Sequence, residues 1–363
     1  MCSSKRGMSL LEVVVAMFIL ALVISGAFAI YLSNMKIYKS ETKTAETQMS
    51  KFMALELLRK DIVHAGYGLP WDIGGITYNE AVAAEAASYN DAPNDVPQAF
   101  VLGDNAKNGA DYLVIKSVKA AENTASRKWA YFTYNGTSAT WDFEGEGGAF
   151  GANDHTIFLR AVPPNERALF VDSGNWSWTG QGYSASIPTD TLFMVYGLFE
   201  SDNVTPRMPF NRVDYYLDDT GRPARCCPTT YELKRATINH DNGHRNSQPI
   251  LDCVRNFQVA LGLDTDNDTR IDSWTSALPA TANATDVRRE VKEVRVFILY
   301  QEGQLLDHEA STATLTLGDN ATGTLATFTP SDGGSPGNCV DRNEKCYRWK
   351  ILKLAVRPMN LGE

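Results

Sequence analysis

The sequence predicts an α+β fold: a long N-terminal helix, transmembrane and then amphipathic, packed on a large antiparallel β body. Three observations predict it. Val13 to Leu32 runs for twenty residues without a charge; apolar residues then recur at helical spacing as far as Ile62; and from residue 112 onward short β-branched and aromatic runs alternate with turn-forming residues.

The first run, at about 1.5 Å of rise per residue, gives roughly 30 Å of helix, the thickness of a hydrocarbon core. Lys5 and Arg6 precede it, and the positive-inside rule leaves the short N-terminus cytoplasmic and the long C-terminal part outside. Beyond Leu32 the apolar residues Ala45, Met49, Phe52, Leu55, Leu58 and Ile62 are separated by Lys, Glu, Thr and Arg, so one apolar stripe continues outward. No proline interrupts before Pro70. One helix is expected from Ser9 to His64, on the order of 80 Å long, with a bend at Ser25-Gly26 and its outer half packed on a sheet.

Gly66-Tyr67-Gly68-Leu69-Pro70 ends that helix, and an Ala-rich irregular stretch follows to Pro97. Strands are expected at 112–118, 129–134, 156–162, 191–199, 212–217, 257–263, 294–300 and 347–356, where Val, Ile, Tyr, Phe and Trp cluster between turns such as DDTG, GEGG and SDGGSPGN. Helical signal is slight, with one short turn at 286–294. The body is mainly antiparallel β, large enough for two lobes, with a boundary expected between residues 140 and 155.

Composition excludes some functions. A net charge of −9 argues against a sequence-independent nucleic-acid binder, which needs clustered Lys and Arg. The sequence has no H-E-x-x-H or P-loop, so no enzyme is expected. Arg222, Arg225, Lys234, Arg235 and Arg245 form a locally basic stretch, read as a solvated face.

Five of the six cysteines lie in the exported part. Cys339 and Cys346 close a short polar loop and are expected to pair in an oxidising compartment. Cys226, Cys227 and Cys253 make an odd set, in which one thiol stays free or Cys226 and Cys227 bond to each other. Asp264, Asp266, Asp268 and Asp272 occupy positions 1, 3, 5 and 9 of a calcium-type loop, so Ca²⁺ is a candidate cofactor. Thr269 replaces the expected glycine and Thr275 the expected bidentate Glu, which leaves a solvated acidic turn as the alternative. Cys227, His240 and His244 reproduce half of a zinc-finger spacing, but the first cysteine pair is adjacent, so disulfide formation is expected instead.

The N-terminus raises a separate question. A carboxylate inside a bilayer costs roughly 2.5–3.5 kcal/mol on insertion scales, yet Glu12 stands at the edge of the apolar run. The string KRGMSLLE followed by an apolar helix resembles the prepilin signal of type IV pilins and type II secretion pseudopilins. The resemblance implies a leader at 1–7, cleavage between Gly7 and Met8 by a prepilin peptidase, methylation of Met8, and an assembly role for Glu12 against a neighbour's new amine. Met8 departs from the Phe usual in the family. The segments DYYLDDTGR, YELKRAT, PILDCVRNFQVALGLDTDNDTRIDSW and VKEVRVFILY resemble the body of PilW-type minor pilins, whereas 70–205 resembles no family.

The pilin-like organisation expected is therefore leader 1–7, assembly half of the helix 8–32, amphipathic half 33–66, a first β region 67–150 and a main β region 151–363. The resemblance implies a minor pilin that initiates or caps a pilus, with other major and minor pilins, the peptidase and an inner-membrane platform as partners. It implies an inner-membrane subunit destined for the cell surface. Rival readings are a type II secretion minor pseudopilin, and an exported binding module whose signal peptide, cut at Ala27-Phe28-Ala29, leaves Ile30 as the mature end.

Overall fold

The computed structural model describes residues 9–162, 166–279, 281–306, 313–332, 339 and 342–361. Helix α1 runs from Leu10 to Val63, with Ser9 as its N-cap and His64 as its C-cap. Two short helices follow, α2 (Ala84–Ala87) and α3 (Ala284–Glu290).

The strands are β1 (Phe100–Lys107), β2 (Ala110–Ser117), β3 (Trp129–Tyr134), β4 (Ala139–Phe143), β5 (Asp154–Arg160), β6 (Trp178–Thr179), β7 (Phe193–Glu200), β8 (Asn211–Asp218), β9 (Tyr231–Ile238), β10 (Arg245–Leu263), β11 (Ser273–Thr275), β12 (Val291–Glu302), β13 (Leu315–Asp319), β14 (Gly323–Phe328) and β15 (Arg348–Val356). They make three sheets. The main sheet has the order β1-β2-β8-β9-β10-β12-β15, with β11 paired to β10; the second is β4-β3-β7-β5-β6; the third is the hairpin β13-β14. Every ladder is antiparallel.

Strand pairing runs across the 150/151 position. The second sheet takes β3 and β4 from one side of it and β5, β6 and β7 from the other, while β1 and β2 belong to the main sheet. The segment 145–151 is a connection inside one sheet. The second sheet is an insertion, because β2 and β8, which flank it in sequence, pair directly (Ser117 opposite Asn211). Asn211 ties the join by donating from Nδ2 to Val118 O at 2.6 Å and to Leu198 O at 2.9 Å.

Strand β10 starts twelve residues before the expected Phe257, because Asn246-Ser247-Gln248-Pro249 looks like a turn but pairs with β9. The 286–294 segment divides, with helix as far as Glu290 and strand from Val291.

The core lies between the end of α1 and one face of the main sheet. Ala54, Leu58 and Ile62 are buried against Val254, Phe257, Val259, Val296, Ile298 and Tyr300. The irregular stretch before β1 is pinned by buried charge. Lys116 lies 2.8 Å from Glu80 and 2.7 Å from Asp91, and Arg212 lies 2.8 Å from Glu80 and 2.7 Å from Asp214. Burial alone would raise the Glu80 carboxyl, but Lys116 and Arg212 hold it below its usual range. Such a cluster tolerates no missing member, since each charge has left water and depends on its partners.

The second sheet has its own aromatic core. Phe132, Phe158, Phe170 and Phe193 are buried in it, and Phe132 meets Phe158 edge-on at 5.2 Å.

Candidate functional site

Leu10 to Met35 is one continuous helical stretch long and apolar enough to cross a membrane, and it is not buried against the body. Glu12 sits in its first turn. Ser9 and Glu12 cap the helix reciprocally: Ser9 N donates to Glu12 Oε2 at 2.9 Å, and Glu12 N donates to Ser9 Oγ at 3.3 Å. Sequence reasoning missed this cap, although Ser-x-x-Glu ahead of an apolar run is its signal. The cap gives Glu12 a local partner inside its own chain and keeps its carboxylate at the N-terminal, positive end of the helix dipole. Gly7 and Met8 lie outside the described residues.

The expected apolar stripe divides. Ala45, Met49 and Phe52 are exposed, the last two at 70%, and burial begins only at Ala54. A stripe needs a facing surface, and the sheet meets α1 only from about Lys51, whose Nζ lies 5.9 Å from the centre of the Tyr300 ring.

Beyond that point a polar lock joins helix and sheet. Asp61 accepts from Arg235 Nε at 2.8 Å and from Tyr215 Oη at 2.6 Å, and Lys60 pairs with Glu122 at 2.8 Å. Burial raises the Asp61 carboxyl above its usual range in spite of Arg235. Arg235 is therefore no part of a solvated basic face, and the stretch around it is largely paired as well. Arg225 pairs with Asp252, Lys234 with Asp218 and Arg245 with Glu85, while Arg222 donates to Thr230 O. Asp61 and Glu85 lie 174 and 160 residues from their partners, so no spacing marks those pairs in advance.

In the Asp-rich loop, Asp264, Asp266 and Asp268 each offer a carboxylate oxygen within 4.8 Å of the others. Asp268 N donates to Asp264 Oδ1 and Asp266 Oδ1, both at 3.1 Å. Thr269, at φ 73°, adopts the left-handed backbone that the usual glycine would supply. Asp272 does not join this group. It accepts from Thr265 N at 2.7 Å and Thr265 Oγ1 at 2.9 Å, bonds that hold its carboxyl below its usual range. Lys292 Nζ lies 3.4 Å from Asp264 Oδ2.

The cysteines pair as Cys226–Cys253 and Cys339–Cys346, and Cys227 is a buried free thiol. There is no vicinal bond between Cys226 and Cys227. Cys227 does not meet His240 or His244 in a metal group; among the described residues such a group forms only at Asp264, Asp266 and Asp268. His240 instead lies flat on Phe199, with ring centres 4.4 Å apart, and its Nε2 is 2.9 Å from Asn211 Oδ1. Burial pushes its pKa down to about 3.

Residues 2–28 match the family model of the prokaryotic N-terminal methylation motif, and residues 214–350 match that of type IV pilus-assembly protein W. No curated protein and no solved structure matches the chain. The chain is thus similar to a type IV pilus-assembly protein over 214–350 and carries the likeness of an N-terminal methylation signal ahead of its apolar helix, two matches that together span less than half of its length. The families matched are pilin and assembly proteins rather than enzymes, and the signal with its apolar helix fits a membrane-anchored pilin.

Proposed function

We propose that this chain is a minor pilin of a type IV pilus that helps to initiate or cap assembly. A prepilin peptidase cuts between Gly7 and Met8 and methylates the new amine, with Lys5 and Arg6 in the cytoplasm and the body outside the inner membrane. Its partners are other major and minor pilins and the inner-membrane assembly platform.

One observation carries the reading: α1 leaves its apolar side chains from Leu10 to Met35 uncovered by its own body, with a carboxylate in the first turn. Lipid can cover that surface, and so can the helices of neighbouring subunits. A cationic terminus on an adjacent subunit would add a charged partner to the one Glu12 has in Ser9, and in low dielectric that attraction favours stacking. A type II secretion pseudopilin would use the same N-terminus; the match at 214–350 favours the pilus. N-terminal sequencing of the protein extracted from membranes tests the reading. N-methylated Met8 is expected; Ile30 at the end, or retention of residues 1–7, refutes it.

We also propose a weak Ca²⁺ site at Asp264, Asp266 and Asp268. The convergence of three hard oxygens supports it. Millimolar Ca²⁺ should raise the melting temperature of the wild type and not of Asp266→Asn; equal melting of the wild type with Ca²⁺ and with chelator refutes it.

A further inference from the structure

The inserted sheet carries a cleft. It measures about 430 Å³ and lies where the 174–179 segment faces His155, Thr205 and Pro206, inside the roughly 300–1,000 Å³ range of small-ligand sites. Two indole rings, Trp176 and Trp178, line it together with Asn175, Thr179, Thr205 and His155. None of its nine lining residues is Asp, Glu, Lys or Arg. The larger groove beside β13-β14 is different in kind, since Arg295, Asp319 and Lys353 line it.

That lining restricts the ligand. A charged molecule entering the cleft would lose hydration and gain no counter-ion. A wholly apolar one would strand the Asn, Thr and His groups without partners. A molecule with C–H faces to lie on indole and hydroxyl edges to meet uncharged donors and acceptors satisfies both constraints. We infer that this cleft binds one or two units of a neutral saccharide.

The cleft is built in advance of any ligand. Trp178 stacks on Phe170 at 5.3 Å and meets Phe158 edge-on at 5.2 Å. His155 stacks on Phe199 at 4.8 Å, and its Nε2 lies 3.2 Å from Ser201 O. Burial holds its imidazole below the ordinary pKa, so it meets a ligand uncharged at neutral pH. Asp172 and Asn175 close the turn with two backbone hydrogen bonds, each 2.8 Å. Walls fixed in this way reduce the ordering cost of binding.

The site lies outside residues 214–350 and past the C-terminal end of α1, where Tyr67 meets Tyr196 of β7 at 5.3 Å. None of its lining residues belongs to α1, and the inference does not depend on how the N-terminus is processed. The test uses the full chain in a zwitterionic detergent without sugar head groups. Cellobiose, maltose, lactose and diacetylchitobiose are titrated while tryptophan fluorescence and heat are followed. Saturable binding of at least one sugar at millimolar concentration is expected, weakened about tenfold in Trp176→Ala and severalfold in Asn175→Ala, an exposed position at which folding is not at stake. Three results would overturn the inference: no binding of any of the four sugars up to about 20 mM, binding unchanged in Asn175→Ala and Trp176→Ala, or tighter binding of glucuronic acid or of a peptide at the same cleft.

Discussion

Phe52 and Leu58 lie on one helix less than two turns apart, yet Phe52 is 70% exposed and Leu58 is fully buried. Up to Met53 the helix presents its large apolar side chains to whatever surrounds the protein; from Ala54 to Val63 the main sheet covers its inner face and Asp61 is locked to Arg235. The same apolar pattern thus serves two purposes. From Ala54 onward it serves the chain's own fold, and before that point it remains available to other surfaces.

The sharpest way to break this contrast is at Glu12. Glu12→Leu should abolish incorporation into the filament while leaving membrane insertion and the melting of the body unchanged, as read by pilus fractionation and calorimetry. In the outer half, Arg235→Met strands the Asp61 carboxylate in the core and should cost about 3–5 kcal/mol, measured by denaturant unfolding. The double variant Asp61→Leu/Arg235→Met should recover most of that loss. Leu58→Ala should cost about 2–5 kcal/mol through the cavity it leaves, whereas Phe52→Ala should stay within about 0.5 kcal/mol. Equal losses at positions 52 and 58 would show that the body covers more of the helix than described.

Burial raises the carboxyls of both Asp61 and Asp111, but their partners differ. Asp61 has Arg235; Asp111 has the backbone N–H groups of Val259 at 2.7 Å and Asn105 at 3.2 Å. Burial, with Asp104 nearby, pushes the Asp111 carboxyl up to about 7. Its folded form holds a proton more tightly than its unfolded form, so the stabilisation is complete below about pH 4 and is lost as pH rises through about 7. The melting temperature should fall over that window, and Asp111→Asn should flatten the fall. The effect is at most about 4 kcal/mol, at roughly 1.4 kcal/mol per pKa unit.

What could be read in advance depended on how local the signal was. The extent of α1 was legible because an unbroken run without proline, stopped at Gly66, is a local mark, although the cap at Ser9 went unread. Strands rich in Val, Ile and Tyr were legible for the same reason, whereas β1, with Gly103, Asp104 and Asn105 inside it, was hidden by residues that usually turn. Non-local facts were not legible. Cys226 finds Cys253 across 27 residues, and Asp61 finds Arg235 across 174, distances over which spacing carries no information. In the acidic loop the spacing suggested four ligands, and Asp272 turned away because Thr265 offers it two donors nearby.

The placement of the second sheet has a consequence for how the molecule can change. Its chain leaves β2 at Ser117 and returns at Asn211, positions that face each other across a single rung. Whatever occupies that span begins and ends at neighbouring points, so it can be enlarged, trimmed or exchanged while the registers of β2 and β8 stay as they are. The inserted sheet can thus drift quickly while the main sheet, and the seat it gives α1, stands still.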